Sequence, residues 1–219
     1  MVKLETRVLA VDAHDPEPRV IEEAARVIRA GGLVVLPTDT VYGLVCDPGQ
    51  PAAVDQIYQV KQRHRELPLS LLLHDMAQVS AYVYDVPEIA VRAMQQFWPG
   101  ALTVIVGRCR ETTAAVCAGK DTVGLRLPAH VVPRLVAGSA ACALASTSAN
   151  RSRQPAPRTA EEAVEQLDGL VSLVLDAGPT PVGQESTVVS FAGDPPQLLR
   201  AGAISLARLR EALGEVREK

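Results

Sequence analysis

The chain is poor in aromatic residues and lacks the long apolar runs that mark membrane proteins. Only 3% of its 219 residues are Phe, Trp or Tyr, which argues against single-stranded nucleic acid as the main ligand, because binders of that class stack bases on aromatic rings. No run approaches the roughly 18 apolar residues of a membrane helix. The N-terminal residues lack the apolar core of a signal peptide. We therefore expect a cytoplasmic protein with no membrane partner.

Cysteine and histidine show no metal-binding pattern. Cys46, Cys109, Cys117 and Cys142 contain no C-x-x-C pair, and the four histidines show no H-x-x-x-H spacing. Structural zinc sites use such closely spaced ligands. Three of the cysteines lie in or beside apolar runs, where a free thiol packs as a small hydrophobe. We predict structural thiols and no metal site built by the protein.

The usual phosphate-binding loops are also missing. Gly119-Lys120 is the nearest approach to a Walker loop, but Ala114 stands where that loop has Gly and Asp121 where it has Ser or Thr. A net charge of −3 gives no overall basic field. Any bound phosphate must therefore be held by separate basic side chains and by amides at strand ends.

The apolar residues, 47% of the chain, predict helices that alternate with buried strands. Helices are expected from Asp15 (as N-cap) to the Gly31-Gly32 stop, from Ala52 to Lys61, from Pro87 to Phe97, and from Ser205. Strands are expected at residues 33–36, 68–73, 102–106, 122–127, 141–145, 170–175 and 186–191. The pattern is that of an α/β protein.

Three polar phrases stand at the ends of strand-like runs: residues 37–43, residues 146–150 and residues 185–189. Strand ends of α/β sheets are where amides and short hydroxyl side chains converge on ligands. With no catalytic His or Cys nearby, they favour recognition of a polar, charged small molecule. Taken singly, a Thr-Asp-Thr after a strand is more often a turn or a helix cap than a binding site, and residues 146–150 also fit a cap of the following segment.

Four cations lie next to otherwise apolar elements: Lys61, Arg63, Arg126 and Arg200. Residues 122–127 alternate with period two, so Arg126 shares a face with Thr122 and Gly124. A buried Arg needs either an internal carboxylate or an anionic ligand, and the sequence leaves both open. Lys61 and Arg63 also fit a solvated helix end that complements the helix dipole.

Together these phrases resemble the YrdC-type threonylcarbamoyl-adenylate synthase family. The matching motifs are PTDTVYGL at residues 37–44, IYQVKQR at 57–63, WPGALT at 98–103, TVGLRLP at 122–128, STSAN at 146–150, STVV at 186–189 and LRAGAI at 199–204. Each motif is weak alone, but seven in fixed order are highly specific. The resemblance covers about residues 15–210.

The resemblance implies a single twisted mixed sheet with flanking helices and a large, positively lined cavity. It places a catalytic domain at residues 15–210, after an N-terminal strand or lead-in at residues 1–14. A polar C-terminal tail follows at residues 211–219, and we expect residues 215–219 to fray. It also implies the short, single-domain form of the family.

The implied reaction converts L-threonine, bicarbonate or carbon dioxide, and ATP into threonylcarbamoyl-adenylate and pyrophosphate. The product serves to modify an adenosine beside the anticodon of tRNAs that read codons starting with A. Mg²⁺ is expected with the triphosphate, held mainly by phosphate oxygens and waters. The resemblance also suggests direct tRNA contact and a downstream tRNA threonylcarbamoyltransferase complex as partners.

The family's functional residues map onto this chain motif by motif. The K-x-R and S-x-N elements correspond to the expected catalytic residues, which are Lys61, Arg63, Ser148 and Asn150. Threonine is expected at Thr40, Arg126, Ser146 and Ser186, with Arg126 on its carboxylate. ATP is expected at Lys61, Arg63, Thr122, Ser148, Asn150 and Arg200.

The chain departs from the family at three places. Leu67 stands where Lys or Asn is frequent, Leu72 where some members have His, and Arg151-Ser152-Arg153 lacks the common Ser-Gly. Two alternatives to the synthase remain open. One is a paralogue that binds double-stranded RNA or the ribosome through basic residues, with weak or no synthase activity. The other is a carbamoyl-transfer enzyme for a different carbamate.

Overall fold

One mixed sheet organises the described part of the chain, residues 5–107 and 114–218 of this computed structural model. Eleven strands in these ranges are ordered β1-β8-β2-β3-β7-β4-β6-β5-β9-β10-β11. Their bounds are β1 (Arg7–Ala10), β2 (Val34–Leu36), β3 (Gly43–Cys46), β4 (Ser70–Leu72), β5 (Leu102–Gly107), β6 (Thr122–Arg126), β7 (Leu144–Ser148), β8 (Leu173–Asp176), β9 (Thr187–Ser190), β10 (Gln197–Arg200) and β11 (Arg217–Glu218).

Helices flank this sheet, and the expected α/β class is confirmed. Their bounds are α1 (Pro18–Arg29), α2 (Pro51–Lys61), α3 (Val79–Tyr82), α4 (Glu88–Phe97), α5 (Ala114–Cys117), α6 (Val131–Ala140), α7 (Ala160–Leu167) and α8 (Leu206–Leu213). No helix among the described residues is both long and apolar enough to cross a bilayer.

The two faces of the sheet carry different cores. On one face, α2, α4, α7 and α8 cover a continuous apolar cluster that includes Val35, Leu71 and Leu125. On the other face, α1 and α6 pack over a smaller cluster that includes Val34 and Leu144. This second cluster reaches Leu72 of β4 but includes no residue of β5, β6 or β9, so that part of the face is not covered by it.

Most predicted elements are confirmed within a few residues, but the start of α1 is wrong. The helix begins at Pro18 with Glu17 as N-cap, not at Asp15. The Asp12 carboxylate accepts the amides of His14 and Asp15 at 2.7 and 2.9 Å. Those two bonds fold residues 12–15 into a turn, so the helix starts only after it.

The strand predicted at residues 141–145 is displaced toward the C-terminus. Ala141 has φ 57° and ends α6 in the left-handed region. Strand β7 therefore begins at Leu144 and runs through Ser148, paired with β3 and β4. The first three residues of the serine-rich phrase, 146–148, thus lie within the strand, and residues 149 and 150 follow its end. Helix α6 was not expected, because Pro133 and Gly138 interrupt its pattern.

The expected fraying of residues 215–219 is wrong for the described residues of that segment. Val216 is buried, and Arg217–Glu218 pairs with β10 as strand β11. Helix α8, capped by Ser205 as expected, continues to Leu213, past the predicted boundary at residue 210. Cys109 lies outside the described residues, while Cys46, Cys117 and Cys142 are free thiols.

Candidate functional site

A cavity of about 420 Å³ lies on the sheet face that α1 and α6 leave open. Its floor is made of residues at alternating strand positions, most of them small or hydroxyl-bearing. The small and hydroxyl-bearing residues among them are Gly43, Ser70, Thr103, Thr122, Gly124, Ser146, Ser148 and Ser190. Short side chains at these positions leave the space that a larger core residue would fill. The volume falls in the range of about 300–1,000 Å³ that is usual for small-molecule sites.

The segment between β2 and β3 forms a tight turn at the edge of this cavity. The Thr38 hydroxyl donates to the Val41 carbonyl at 2.6 Å and accepts the amides of Thr40 and Val41 at 3.1 and 3.2 Å. This bonding accounts for a Thr in the phrase, since its side chain replaces backbone partners in the turn. It fixes the hydroxyl of Thr40, which lines the cavity.

The guanidinium of Arg126 lies at the end of β6, tied at each nitrogen to a different group. Nε donates to the Gly100 carbonyl at 3.0 Å, and Nη1 donates to the Thr40 hydroxyl at 2.9 Å. Nη2 forms an ion pair with the Asp39 carboxylate at 2.7 Å. Burial lowers the pKa of Arg126, and the neighbouring Asp39 opposes that shift. The internal carboxylate left open by the sequence is therefore present.

A second arginine supports the loop before β9. Arg200 donates through Nε and Nη2 to the Ser186 carbonyl, and Nη2 also lies 3.0 Å from the Ser186 hydroxyl. Its Nη1 pairs with the Glu185 carboxylate at 2.7 Å. The Ser186 hydroxyl is 2.8 Å from that of Thr103. These contacts hold the hydroxyl of Ser186 at the wall of the cavity.

Arg63 lies beyond the end of α2 and reaches the segment that leads into β4. Its Nη2 donates to the Pro68 carbonyl at 3.1 Å, and its Nε is 3.4 Å from the Leu67 carbonyl. Both partners are neutral, so the charge of Arg63 is not compensated by them. Burial lowers the pKa of Arg63, but a guanidinium stays protonated in proteins. The group offers a full positive charge to the cavity that it lines.

Lys61 is 1% exposed and lies behind the cavity wall. Its ammonium group donates to the Ser148 carbonyl and, at 2.6 Å, to the carbonyl of Asn150. The Asn150 side-chain oxygen is a third acceptor, at 3.0 Å. Burial lowers the pKa of Lys61 to about 7, with Arg63 adding to the effect. Lys61 therefore ties the end of α2 to the turn after β7.

Tyr42 joins three segments at the same wall. Its amide donates to the Pro157 carbonyl and its own carbonyl accepts the Ala149 amide, both at 2.9 Å. Its hydroxyl donates to the Gly178 carbonyl at 2.7 Å. Burial raises the pKa of Tyr42 to about 12. The side chain therefore serves as a neutral donor that fixes the loops around the cavity.

Among residues 5–107 and 114–218, no group of three or more His, Cys, Asp or Glu side chains is arranged to hold a metal ion. The cavity lining supplies one carboxylate, Glu185, besides its hydroxyls. Such a lining fits an ion that arrives with a triphosphate and keeps mostly phosphate and water ligands. Mg²⁺ therefore stays an expectation attached to the nucleotide.

Comparison with known proteins decides the family. The model of the family Sua5_yciO_yrdC, described as "Telomere recombination", matches residues 26–202. The chain belongs to this family. The threonylcarbamoyl-AMP synthase of Bacillus subtilis (strain 168) is 36% identical over 208 residues, which are 94% of this chain and 59% of that protein. The chain therefore spans less than two thirds of that relative's length.

Two further relatives bear on the fold and on the length. The threonylcarbamoyl-AMP synthase of Alkalilimnicola ehrlichii is 35% identical over 171 residues, which are 78% of this chain and 88% of that protein. The crystal structure of P. abyssi Sua5 complexed with L-threonine superposes with a TM-score of 0.94 at 33% identity, covering 97% of this chain and 62% of that one. The predicted family fold is confirmed.

The structure brings most of the sequence-predicted site residues to one cavity. Eight of the ten line it: Thr40, Arg63, Thr122, Arg126, Ser146, Ser148, Ser186 and Arg200. The other two, Lys61 and Asn150, are bonded to each other behind the wall. Direct contact of Lys61 with a ligand therefore requires its ammonium group to leave these oxygens.

Three residues important to the wall were missed, namely Asp39, Tyr42 and Glu185. All three lie within the polar phrases, but their partners are distant in sequence and no spacing reveals them. Of the departures from the family, Leu67 and Leu72 both line the cavity. Arg153 has φ 72°, a left-handed conformation that favours Gly, which gives a physical reason for the Gly usual in that loop.

Proposed function

We propose that this chain is an L-threonylcarbamoyladenylate synthase that acts on L-threonine, bicarbonate or carbon dioxide, and ATP. The observation that carries the proposal is one cavity lined both by Arg63 and by the group of Arg126, Thr40 and Ser186. One cation suits a phosphate chain, and the second, surrounded by hydroxyls, suits an amino acid. The names of the relatives and the threonine complex of P. abyssi Sua5 support the same assignment.

In this proposal the protein orients the reactants and supplies no nucleophile. The threonine amine takes up carbon dioxide to form a carbamate. A carbamate oxygen then attacks the α-phosphorus of ATP, forming the P–O bond while the bond to pyrophosphate breaks. A carbamate is labile in water, so a walled cavity protects it and aligns it on the phosphate. Arg63 stabilises negative charge on the transferring and leaving phosphates.

The proposed contacts follow the lining. Threonine would be held by Thr40, Arg126, Ser146 and Ser186, and ATP by Arg63, Thr122, Ser148 and Arg200. Lys61 and Asn150 complete the proposed catalytic set with Arg63 and Ser148, acting on the nucleotide from behind the wall at Ser148. Mg²⁺, when bound with ATP, supplies charge neutralisation of the phosphates.

We further propose that residues 15–210 form the catalytic domain and that the enzyme works in the cytoplasm. Threonylcarbamoyl-adenylate would pass to a downstream tRNA threonylcarbamoyltransferase complex, and the chain would also contact tRNA directly. Arg63 and Lys120, the two cavity cations without an ion pair among the described residues, are the groups available for that contact. Within this proposal the positive lining of the cavity is provided by Arg63 and Lys120.

The proposal is tested with the purified chain, Mg-ATP, ¹⁴C-bicarbonate and L-threonine. We expect pyrophosphate release that requires threonine, together with a labelled adenylate that decays in water. Omission of threonine and its replacement by L-valine, which lacks the hydroxyl, are the controls. Threonine-independent pyrophosphate release, or release with valine alone, contradicts the assignment. Tight, salt-sensitive RNA binding without release supports the RNA-binding paralogue instead.

A further inference from the structure

The cationic residues of the cavity differ in whether a carboxylate neutralises them. Arg126 is paired with Asp39 at 2.7 Å, and Arg200 is paired with Glu185 at 2.7 Å. Arg63 and Lys120 form no ion pair among the described residues. The positive charge available to a ligand is therefore concentrated at Arg63 and Lys120, although all four cations line the same cavity.

The uncompensated and compensated cations lie at opposite ends of β6. Strand β4 pairs with β6 in parallel, with Ser70 opposite Gly124 and Leu72 opposite Arg126. Arg63 is held at Pro68, which precedes Ser70, and so lies toward the Thr122 end of β6. Arg126 is at the other end, and four residues of a strand span about 13 Å. The cavity thus has a charged end and a neutralised end.

Asp39 produces this neutralisation from outside the cavity. Its side chain is 9% exposed. Asp39 is not among the described residues that line the cavity. One carboxylate oxygen accepts both Arg126 Nη2 at 2.7 Å and the Ala129 amide at 3.1 Å. A guanidinium has five N–H donors. In Arg126 the bonds to Gly100, Thr40 and Asp39 use three of them. One N–H on each Nη nitrogen is left for a ligand.

This arrangement addresses a difficulty of the proposed reaction. One cavity must take a triphosphate and an amino acid, and a buried guanidinium without a counterion would attract the more highly charged ligand. Arg126 and Asp39 together carry no net charge. A polyanion bound to Arg126 is therefore also repelled by the Asp39 carboxylate. A single carboxylate still gains two N–H donors.

We propose that Asp39 is a specificity-determining residue that acts through Arg126, reserving this guanidinium for the carboxylate of an amino acid and denying it to phosphate chains. The inference rests on the proposed synthase function, since it assumes that both ligands enter the cavity. Phosphate chains are then directed to the Arg63 end by charge alone.

The test measures whether threonine and inorganic tripolyphosphate compete, by calorimetric titration of the full chain. In the wild-type protein we expect the threonine Kd to be unchanged by saturating tripolyphosphate. Asp39→Asn removes the charge but keeps an oxygen acceptor of the same shape. In that variant we expect tripolyphosphate to bind about tenfold more tightly and to compete with threonine. If Asp39 has only a structural role, Asp39→Asn should weaken the binding of both ligands without making them compete.

Asp55→Asn is the matched control, because it makes the same substitution in an ion pair outside the cavity. Asp55 pairs with Arg65 at 2.5 Å, and their side chains are 43% and 62% exposed, so solvent screens their interaction. Neither residue is among those that line the cavity. We expect tripolyphosphate affinity to change by no more than about threefold, without competition.

Two outcomes overturn the inference while leaving the synthase proposal intact. One is competition between tripolyphosphate and threonine in the wild-type protein. This measurement does not depend on the variant, so it tests the inference even if Asp39→Asn does not fold. The other is independent binding of the two ligands in a folded Asp39→Asn variant. A wild-type chain that binds neither threonine nor ATP instead contradicts the proposed function itself.

Discussion

The ammonium group of Lys61 donates to both oxygens of Asn150, to the carbonyl at 2.6 Å and to the side-chain oxygen at 3.0 Å. The amide nitrogen of the Asn150 side chain in turn donates to the carbonyls of Arg151 and Gln154. The Lys61 carbonyl accepts the Ser152 amide at 2.9 Å. Helix α2 and the loop after β7 are therefore one bonded unit behind the cavity wall.

The buried ammonium group predicts a pH dependence of stability. The ordinary lysine pKa is 10.5, whereas burial lowers that of Lys61 to about 7 in the folded chain. Between these values the unfolded chain holds the proton and the folded chain does not, so raising the pH favours folding. The quantity to measure is the difference in unfolding free energy between the wild type and Lys61→Met. We expect this difference to rise from pH 7 toward pH 10, by at most about 1.4 kcal/mol per pH unit.

Urea unfolding of both proteins between pH 6 and pH 10 measures this difference. Groups other than Lys61 titrate in both proteins and cancel. Below pH 7 the folded and unfolded lysine are both protonated, so the difference should level off there. A difference that stays constant over the whole range would show that Lys61 keeps its ordinary pKa despite its burial, and a difference that falls as pH rises would show that its pKa is raised in the folded chain.

Local patterns in the sequence were enough for much of the fold. The period-two alternation of residues 122–127 correctly predicted that Thr122, Gly124 and Arg126 share the face that lines the cavity. Helical spacing likewise placed Lys61 at the C-terminal end of α2. In both cases the relevant information lies within a few residues, where strand and helix periods are readable.

The pairing of buried charges could not be predicted in the same way. Asp39 and Arg126 are 87 positions apart, and Lys61 and Asn150 are 89 apart. The contact of Lys61 with Asn150 follows from the sheet order, which brings β7 between β3 and β4, whereas three strands lie between β2, which precedes Asp39, and β6, which carries Arg126. The sequence therefore indicated that Arg126 needs a partner without indicating which one, and gave no sign that Lys61 would be sealed behind the wall.

Replacing Arg126 tests the cost of the buried ion pair. Arg126→Ala should abolish threonine binding, but it also leaves the Asp39 carboxylate buried without its cation. We expect a loss of about 3–5 kcal/mol in unfolding free energy, so the variant will not keep wild-type stability. Urea unfolding and threonine titration measure the two effects separately.

The double variant Asp39→Asn with Arg126→Met is the control for this prediction. It removes both charges, and we expect it to regain about 2 kcal/mol relative to Arg126→Ala. Threonine binding should remain absent, because the carboxylate partner is still missing. Retention of near-normal threonine affinity by either variant would remove Arg126 from the threonine site.

Arg63 is expected to act on the nucleotide and not on the amino acid. Arg63→Ala should weaken ATP binding by about tenfold or more, the value of a charge-assisted hydrogen bond, while leaving threonine binding unchanged. Arg65→Ala is the matched control, since Arg65 is an exposed arginine paired with Asp55 at 2.5 Å. Equal effects of the two substitutions on ATP titrations would mean that Arg63 contributes only to general surface charge.

Gly202 is required where the segment after β10 crosses the start of β9. A Cβ at this position would meet the carbonyl oxygen of Glu185, and it would lie 2.5 Å from Ser186 C and 2.6 Å from Ser186 O. These are backbone atoms, so Gly202→Ala must displace residues 185–186. We expect a loss of about 1–3 kcal/mol in stability and weaker threonine binding, because Ser186 moves with its backbone.

Gly193→Ala is the control, since a Cβ there meets nothing within 4 Å. Unfolding midpoints and threonine affinities that match between the two variants would contradict this account of the Ser186 wall.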